Sequence, residues 1–189
     1  MTDRSRLPTE PAVPVLETAR FTMRALERGD AAALLPTLGH EAHCRYLTRA
    51  AFGSEEELWG WLADPSWPGL TWIAVDTDEE VVGRFVAVSM EEAVVFDIGY
   101  IVCAHRQGEG IAVECTEALL RHLFADGGAR KAVAEVDIEN VASIRTLERL
   151  GFTREAFHPA YEETHKGVCD VAIYALYRRA FADQSGKSP

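Results

Sequence analysis

The chain has 189 residues, 48% of them hydrophobic, enough to bury one full core, so a single domain is expected. Its formal net charge of -11 at pH 7 excludes a surface that grips nucleic acid by neutralising phosphates, which needs clustered Lys and Arg. The N-terminus MTDRSRLPTEPAVP lacks an apolar signal core, no apolar run nears the roughly 20 residues of a membrane span, and Cys44, Cys103, Cys115 and Cys169 form no CxxC pair. Together these read as a soluble cytoplasmic protein with reduced thiols and no membrane or nucleic-acid partner.

Residues 1–14 are rich in proline and charge without periodicity and read as a disordered tail, and DQSGKSP makes 182–189 a loose end, leaving 15–181 as one domain. FTMRA alternates like a short strand. Asp30 then offers an N-cap to a helix over AAALLPTL, with Pro36 as its end or kink. Ser54 opens a second helix through LWGWL, Glu57 supplies a capping box, and DPSWPG breaks it. TWIAV and VVGRFVAV, separated by DTDEE, read as a hairpin, and VVFDIGYIV is a third strand in series. HRQGEGIAVECTEALLRHLF passes from two glycines into a helix in which Ala112, Cys115, Leu119, Leu123 and Phe124 recur at helical spacing until ADGG. KAVAEVDI is a strand. NVASIRTLERL is a helix with a stripe of Ile144, Leu147 and Leu150 and with Gly151 at its C′ position, and FTREAF and VAIYALY are the last strands. This order predicts a mixed α/β sheet.

A strand running through Gly108-Glu109-Gly110 into a helix leaves the first helical N–H groups without partners inside the helix. Glycine lets an anion approach that backbone, and the aligned peptide dipoles favour negative charge there, so a pyrophosphate is the natural guest. A tight turn with no ligand competes with this reading. A nucleoside-triphosphate loop would need GxxxxGK[ST], which is absent, and a dinucleotide fingerprint would need glycine where Val113 stands. The remaining candidate is the phosphopantetheine nucleotide of coenzyme A.

Gln107-Gly108-Glu109-Gly110-Ile111-Ala112 resembles the Q/R-x-x-G-x-G/A signature of the GNAT N-acetyltransferase superfamily. Asn140-Val141-Ala142-Ser143, followed by Glu148-Arg149-Leu150-Gly151-Phe152, resembles a second motif of that superfamily, in the right order. LETARFTMRALERGDAAAL, Val82-Gly83, Asp97-Ile98-Gly99-Tyr100 and Asp170 to Tyr174 are similar to its RimJ/RimL-like branch. The resemblance implies a GNAT fold with a mostly antiparallel seven-stranded sheet, four helices and splayed fourth and fifth strands. It departs at Glu109, where relatives often carry Lys, Arg or Gln: a carboxylate there repels a pyrophosphate unless its side chain turns outward. Arg106, Arg145 and Arg149 are candidates to restore positive charge.

The resemblance implies acetyl transfer from acetyl-CoA, without a metal, directly to a primary amine through a tetrahedral intermediate. The acceptor is a protein N-terminal α-amine or a small-molecule amine, and a homodimer is left open. Val102, Gln107, Gly108, Glu109, Gly110, Ile111, Ala112, Asn140 and Ser143 are the implied cofactor contacts, with Ser143 also the general acid. As helix-start residues, Asn140 and Ser143 also read as caps. Asp97 is a base candidate because strand alternation sets a carboxylate on the face of Val95, Gly99 and Ile101, where burial is costly unless it is used. Glu162, with Glu163, is the second, expected in the loop between the last strands. An acyl-CoA-binding sensor without turnover is the rival reading.

HEAHC at 40–44 misses the HExxH spacing by one residue and has no second ligand cluster, so no metal site is expected. Trp59, Trp61, Trp67 and Trp72 could frame an acceptor pocket, with core packing the better explanation for Trp72. Tyr174 reads as a buried tyrosine with a structural partner.

Overall fold

The computed structural model describes residues 13–91 and 94–185. Its elements in chain order are β1 (Leu16–Glu17), β2 (Thr22–Ala25), α1 (Asp30–Leu38), α2 (Glu41–Cys44), α3 (Glu55–Leu62), β3 (Leu70–Val75), β4 (Val81–Glu91), β5 (Val95–Val102), a 3-10 turn (Ala104–Arg106), α4 (Ile111–Ala125), β6 (Lys131–Asp137), α5 (Val141–Arg149), β7 (Thr153–Thr164), β8 (Gly167–Tyr177) and α6 (Arg178–Ser185). One sheet takes the order β1-β2-β3-β4-β5-β6-β8-β7. Every neighbouring pair is antiparallel except β5 with β6.

The mixed α/β architecture is as expected, but among the described residues the sheet has eight strands with six helices rather than seven with four. The additions are short or polar. β1 is two residues pairing Leu16 with Met23, and α2 is a single turn, too short to show a periodicity or to nucleate by itself. α6 carries charged residues and docks through Phe181, whose ring lies 5.3 Å from that of Phe124. Regular structure thus continues past 181 to Ser185.

Two further expectations are corrected. Asp30 is the first residue of α1, after Gly29 at the cap, and its carboxylate accepts from both Arg24 Nη atoms at 2.9 and 2.8 Å and from the Glu27 N–H at 2.7 Å. α1 passes through Pro36 to Leu38. Glu162 and Glu163 lie within β7, paired with Cys169 and Val168, rather than in a loop. The strand tolerates Pro159 because it is an edge, and the register shifts between His158 and Glu162, where Ala160 takes a φ of 48°.

The helices end as their residues dictate. Ser54 Oγ accepts from the Glu57 N–H at 3.2 Å, while the Glu57 carboxylate reaches past Ser54 to the Gly53 N–H at 2.8 Å. α5 closes in a Schellman motif: Gly151, at φ 87°, donates to Glu148 O, and Phe152 N–H donates to Leu147 O, both at 3.0 Å. Two clusters cover the faces of the sheet. Trp72, Phe85, Phe96 and Ile98 pack against Leu119, Leu123 and Leu147 of α4 and α5, while Ile73, Val75 and Ile101 pack with Leu34, Leu38, Leu58 and Leu62 of α1 and α3. No helix among the described residues is long and apolar enough to cross a membrane.

Candidate active site

The parallel junction of β5 and β6 is held by three register pairs, Val95 with Lys131, Phe96 with Ala132 and Asp97 with Val133. β5 then runs on to Val102 beside β4, while β6 stays with β8 to Asp137. The two strands part beyond Asp97, as the splay expected of the fourth and fifth strands requires. Alternate backbone amides and carbonyls between Ile98 and Val102, those not bonded to β4, therefore face a gap on that side, ready to bond an extended ligand.

The glycine turn lies at one end of this gap. Gly108 and Gly110 have φ of 85° and 81°, a conformation L side chains rarely adopt. A Cβ on Gly108 would meet nothing within 4 Å, and on Gly110 only Arg20 Nη2 at 3.7 Å. Gly110 caps α4 with no side-chain acceptor, so the first-turn N–H groups open into a cavity of about 480 Å³ lined by the glycines, Val113 and Arg149, by Arg20 with its ion-pair partner Glu114, and by Glu109 and Glu117. Ile111 is buried and anchors the helix, and Ala112 is half-buried beside it.

Glu109 turns away from the turn. Arg106 Nε holds its carboxylate at 3.1 Å, and Arg20 Nη2 donates to its carbonyl at 3.0 Å. Arg106 is also bound to Asp76 at 2.8 Å and Glu80 at 3.0 Å, so its charge is consumed locally. Arg149 has no ion pair among the described residues and lines the cavity, so it is the better source of charge for a phosphate. Gln107 Nε2 donates to Val102 O at 3.3 Å, tying the turn to the end of β5.

The start of α5 closes the other side. Asn140 Oδ1 accepts from the Ser143 N–H at 3.1 Å, which makes Asn140 the helix cap. Ser143 is not a cap: its Oγ lies 2.8 Å from the Tyr100 hydroxyl, across from the parted segment of β5. Burial pushes the Tyr100 phenol above its ordinary value, with the Ser143 hydrogen bond opposing.

On the opposite face Asp97 is half-buried, and its Oδ1 has no hydrogen-bond partner. Burial, and then the nearby Glu135, push its carboxyl up to about 6. Glu162 is raised by burial and by Glu135 and Asp137. Asp137 is itself paired with Lys166 at 2.5 Å. Asp97 and Glu162 thus both lie near Glu135, and none of the three has an ion pair among the described residues, while Ser143 and Tyr100 meet on the other face.

Residues 20–153 match the acetyltransferase (GNAT) domain family. The chain belongs to the GNAT acetyltransferase family. It is an acetyltransferase enzyme, and GNAT acetyltransferases use acetyl-CoA. An uncharacterized N-acetyltransferase, p20, of Bacillus licheniformis is 27% identical over 175 residues, covering 88% of this chain and 98% of the relative. A GNAT-family acetyltransferase from Bacillus anthracis shares the fold with a TM-score of 0.81 and 19% identity over 88% of this chain and 99% of that one. The spermidine N-acetyltransferase of Vibrio cholerae, solved with CoA and spermine, has a TM-score of 0.75 and 19% identity over 86% of this chain and 98% of its own.

Two residues of the acetyltransferase escaped the sequence reading. Tyr100 was legible only as the strand neighbour of Asp97 on the opposite face; its Ser143 partner is 43 positions on. Arg84 sits in VVGRFVAV, where an arginine reads as an exposed strand residue, yet it is buried. Cys44 is a core residue whose Sγ donates to Leu38 O at 3.2 Å, and Tyr174 is buried with its hydroxyl 3.4 Å from Glu148. Trp72 is fully buried and donates from Nε1 to Pro14 O at 2.8 Å.

Proposed function

We propose that the enzyme acetylates a primary amine, directly from acetyl-CoA, in the manner of the RimJ/RimL-like branch. The observation that carries this reading is the alignment of the open Gly108–Gly110 amides with the parted strands: one end accepts a diphosphate and the other an extended amide-bearing arm. Gly108, Gly110, Ile111 and Ala112 would hold the diphosphate through backbone N–H groups, with Arg149 adding charge, and the strand backbone up to Val102 would hold the pantetheine. Acetyl-CoA supplies an activated thioester when bound.

The chain's own groups divide the proton work. Asp97 receives a proton from the acceptor ammonium at its unpartnered Oδ1, directly or through one water, and its raised affinity for protons suits a base working near neutrality. Glu162 stands with it on the same face as a second carboxylate. On the far side Ser143 donates a proton at Oγ to the thiolate that departs as the C–N bond forms and the C–S bond breaks, and Tyr100 fixes that hydroxyl. The acceptor is an N-terminal α-amine or a small-molecule amine. An α-amine, with an ordinary pKa of roughly 8 against about 10.4 for lysine, demands less of the base.

Calorimetric titration with acetyl-CoA and NADH, followed by thiol release over a panel of amines, tests the proposal. Acetyl-CoA binding with turnover on at least one amine is expected. Firm acetyl-CoA binding without turnover on any amine would assign the protein instead as an acyl-CoA sensor.

A further inference from the structure

Arg84 is the odd charge in this molecule. It is 6% exposed on β4, and among the described residues no carboxylate lies within ion-pairing distance and one of its five N–H donors makes a hydrogen bond, from Nη2 to Thr71 Oγ1 at a long 3.3 Å. Nε is buried with no partner. The guanidinium lies 4.6 Å from the centre of the Trp61 ring and 5.9 Å from that of Trp67, and these stacking contacts compensate only part of the lost hydration. Seven other arginines meet a carboxylate directly among the described residues, and Arg84 is set apart by being buried without one.

The register says where this cation lies. Arg84 pairs with Ile101 across β4 and β5, on the face that also carries Asp97. By reaching Thr71, its side chain leans along the sheet to the level of the Thr71–Val86–Gly99 row, which is the first same-face row past the last β5–β6 pair. Thr71 and Gly99 are two strands apart, about 10 Å. A preorganised fork donor, screened by two indoles, thus stands beside the mouth of the gap, with the unpaired carboxylates across from it.

We propose that Arg84 is the anion subsite for the acceptor, so that the amine acetylated by this enzyme carries a carboxylate or phosphate a few bonds away. The guanidinium presents paired N–H groups that match either anion, and the ligand supplies the hydrogen bonds the protein leaves open. Asp97, Glu135 and Glu162 attract the ammonium end, and the two poles orient the acceptor. The inference rests on the amine-acetyltransferase reading, and its test separates the two.

Turnover is measured with 4-aminobutanoate against 4-aminobutanamide, and with 3-aminopropyl phosphate against 3-aminopropanol, in the wild type, Arg84→Lys and Arg84→Met. At least about a tenfold preference in kcat/KM for one anionic member of its pair is expected, as for a charged hydrogen bond to ligand, and the pair that shows it identifies carboxylate or phosphate. Arg84→Met should erase the preference through KM while leaving the neutral member and acetyl-CoA affinity unchanged, and Arg84→Lys should restore part of it. Intrinsic tryptophan emission, titrated with the same four amines, reads the subsite without turnover through Trp61 and Trp67. A saturable response to an anionic amine that Arg84→Met removes supports the subsite even if no amine is acetylated, an outcome that would sink the reaction but not the site. Equal kcat/KM within both pairs, or an emission response that survives Arg84→Met, overturns it. Arg84→Met should also melt no lower than the wild type, since no ion pair is broken; a large fall in Tm would mark a structural arginine and reject the subsite.

Discussion

A carboxylate with one oxygen sealed from solvent and unbonded is a costly thing to keep, and Asp97 keeps it where the two strands diverge. Its proton affinity rises from the ordinary 3.8 to about 6, chiefly through burial. Below pH 4 the carboxyl is protonated folded or unfolded. Between about 4 and 6 the unfolded chain releases the proton and the folded one retains it, so the stability it contributes is present at low pH and lost as pH climbs through 6. Asp97→Asn should therefore match the wild type in urea unfolding at pH 4 and exceed it by up to about 3 kcal/mol at pH 8, two pKa units at about 1.4 each. The same variant should lose the acidic limb near pH 6 in kcat/KM, where the wild type shows one. On the other side of the sheet, Ser143→Ala should lower turnover by more than about tenfold with acetyl-CoA affinity nearly intact, within the range for loss of a general acid. An unchanged rate would reject its acid role. Tyr100→Phe should give a smaller loss of kcat with KM unmoved, because it removes the hydroxyl that orients Ser143 and not the donor itself.

Elements with a buried, β-branched or aromatic run were legible: TWIAV, VVGRFVAV, VVFDIGYIV and KAVAEVDI all became strands within a few residues of their expected ends. So were starts and stops that depend on one residue's chemistry, such as Ser54 under α3 and Gly151 beyond α5. What was not legible depends on distant contacts. β1 exists because Leu16 and Glu17 find β2, and β7 extends through Glu162 because β8 pairs with it across a prolyl bulge. Of the site, the glycine turn could be read from spacing, and the Asn140–Ser143 pair only from its likeness to the family's second motif. The burial of Arg84 could not, because Trp61 and Trp67 come from another part of the chain. At this scale Gly110→Val is the decisive substitution. A β-branched residue at φ 81° is strained and sets methyl groups into the open cradle, so acetyl-CoA binding should vanish in calorimetry while far-UV circular dichroism stays as in the wild type.

Across the whole molecule, the sheet is two antiparallel blocks, β1 to β5 and β6 to β8, joined through three parallel register pairs and the helices laid over them. A ligand that bonds both blocks stabilises the folded state by mass action, by about 3 kcal/mol at a concentration one hundred times its dissociation constant. For a chain of 189 residues this corresponds to a rise in Tm of roughly 6 to 12 °C with acetyl-CoA, absent in Gly110→Val, and calorimetric scanning would read it.

The seam between those blocks also makes the protein a spring with one weak coil. Pulled from its ends or warmed slightly, it should yield first at Ile98–Val102, whose main-chain hydrogens would trade with heavy water sooner than those of β3 or β4 and slow down once substrate threads the opening. The catalytic crevice and the mechanical fault line would then be one place.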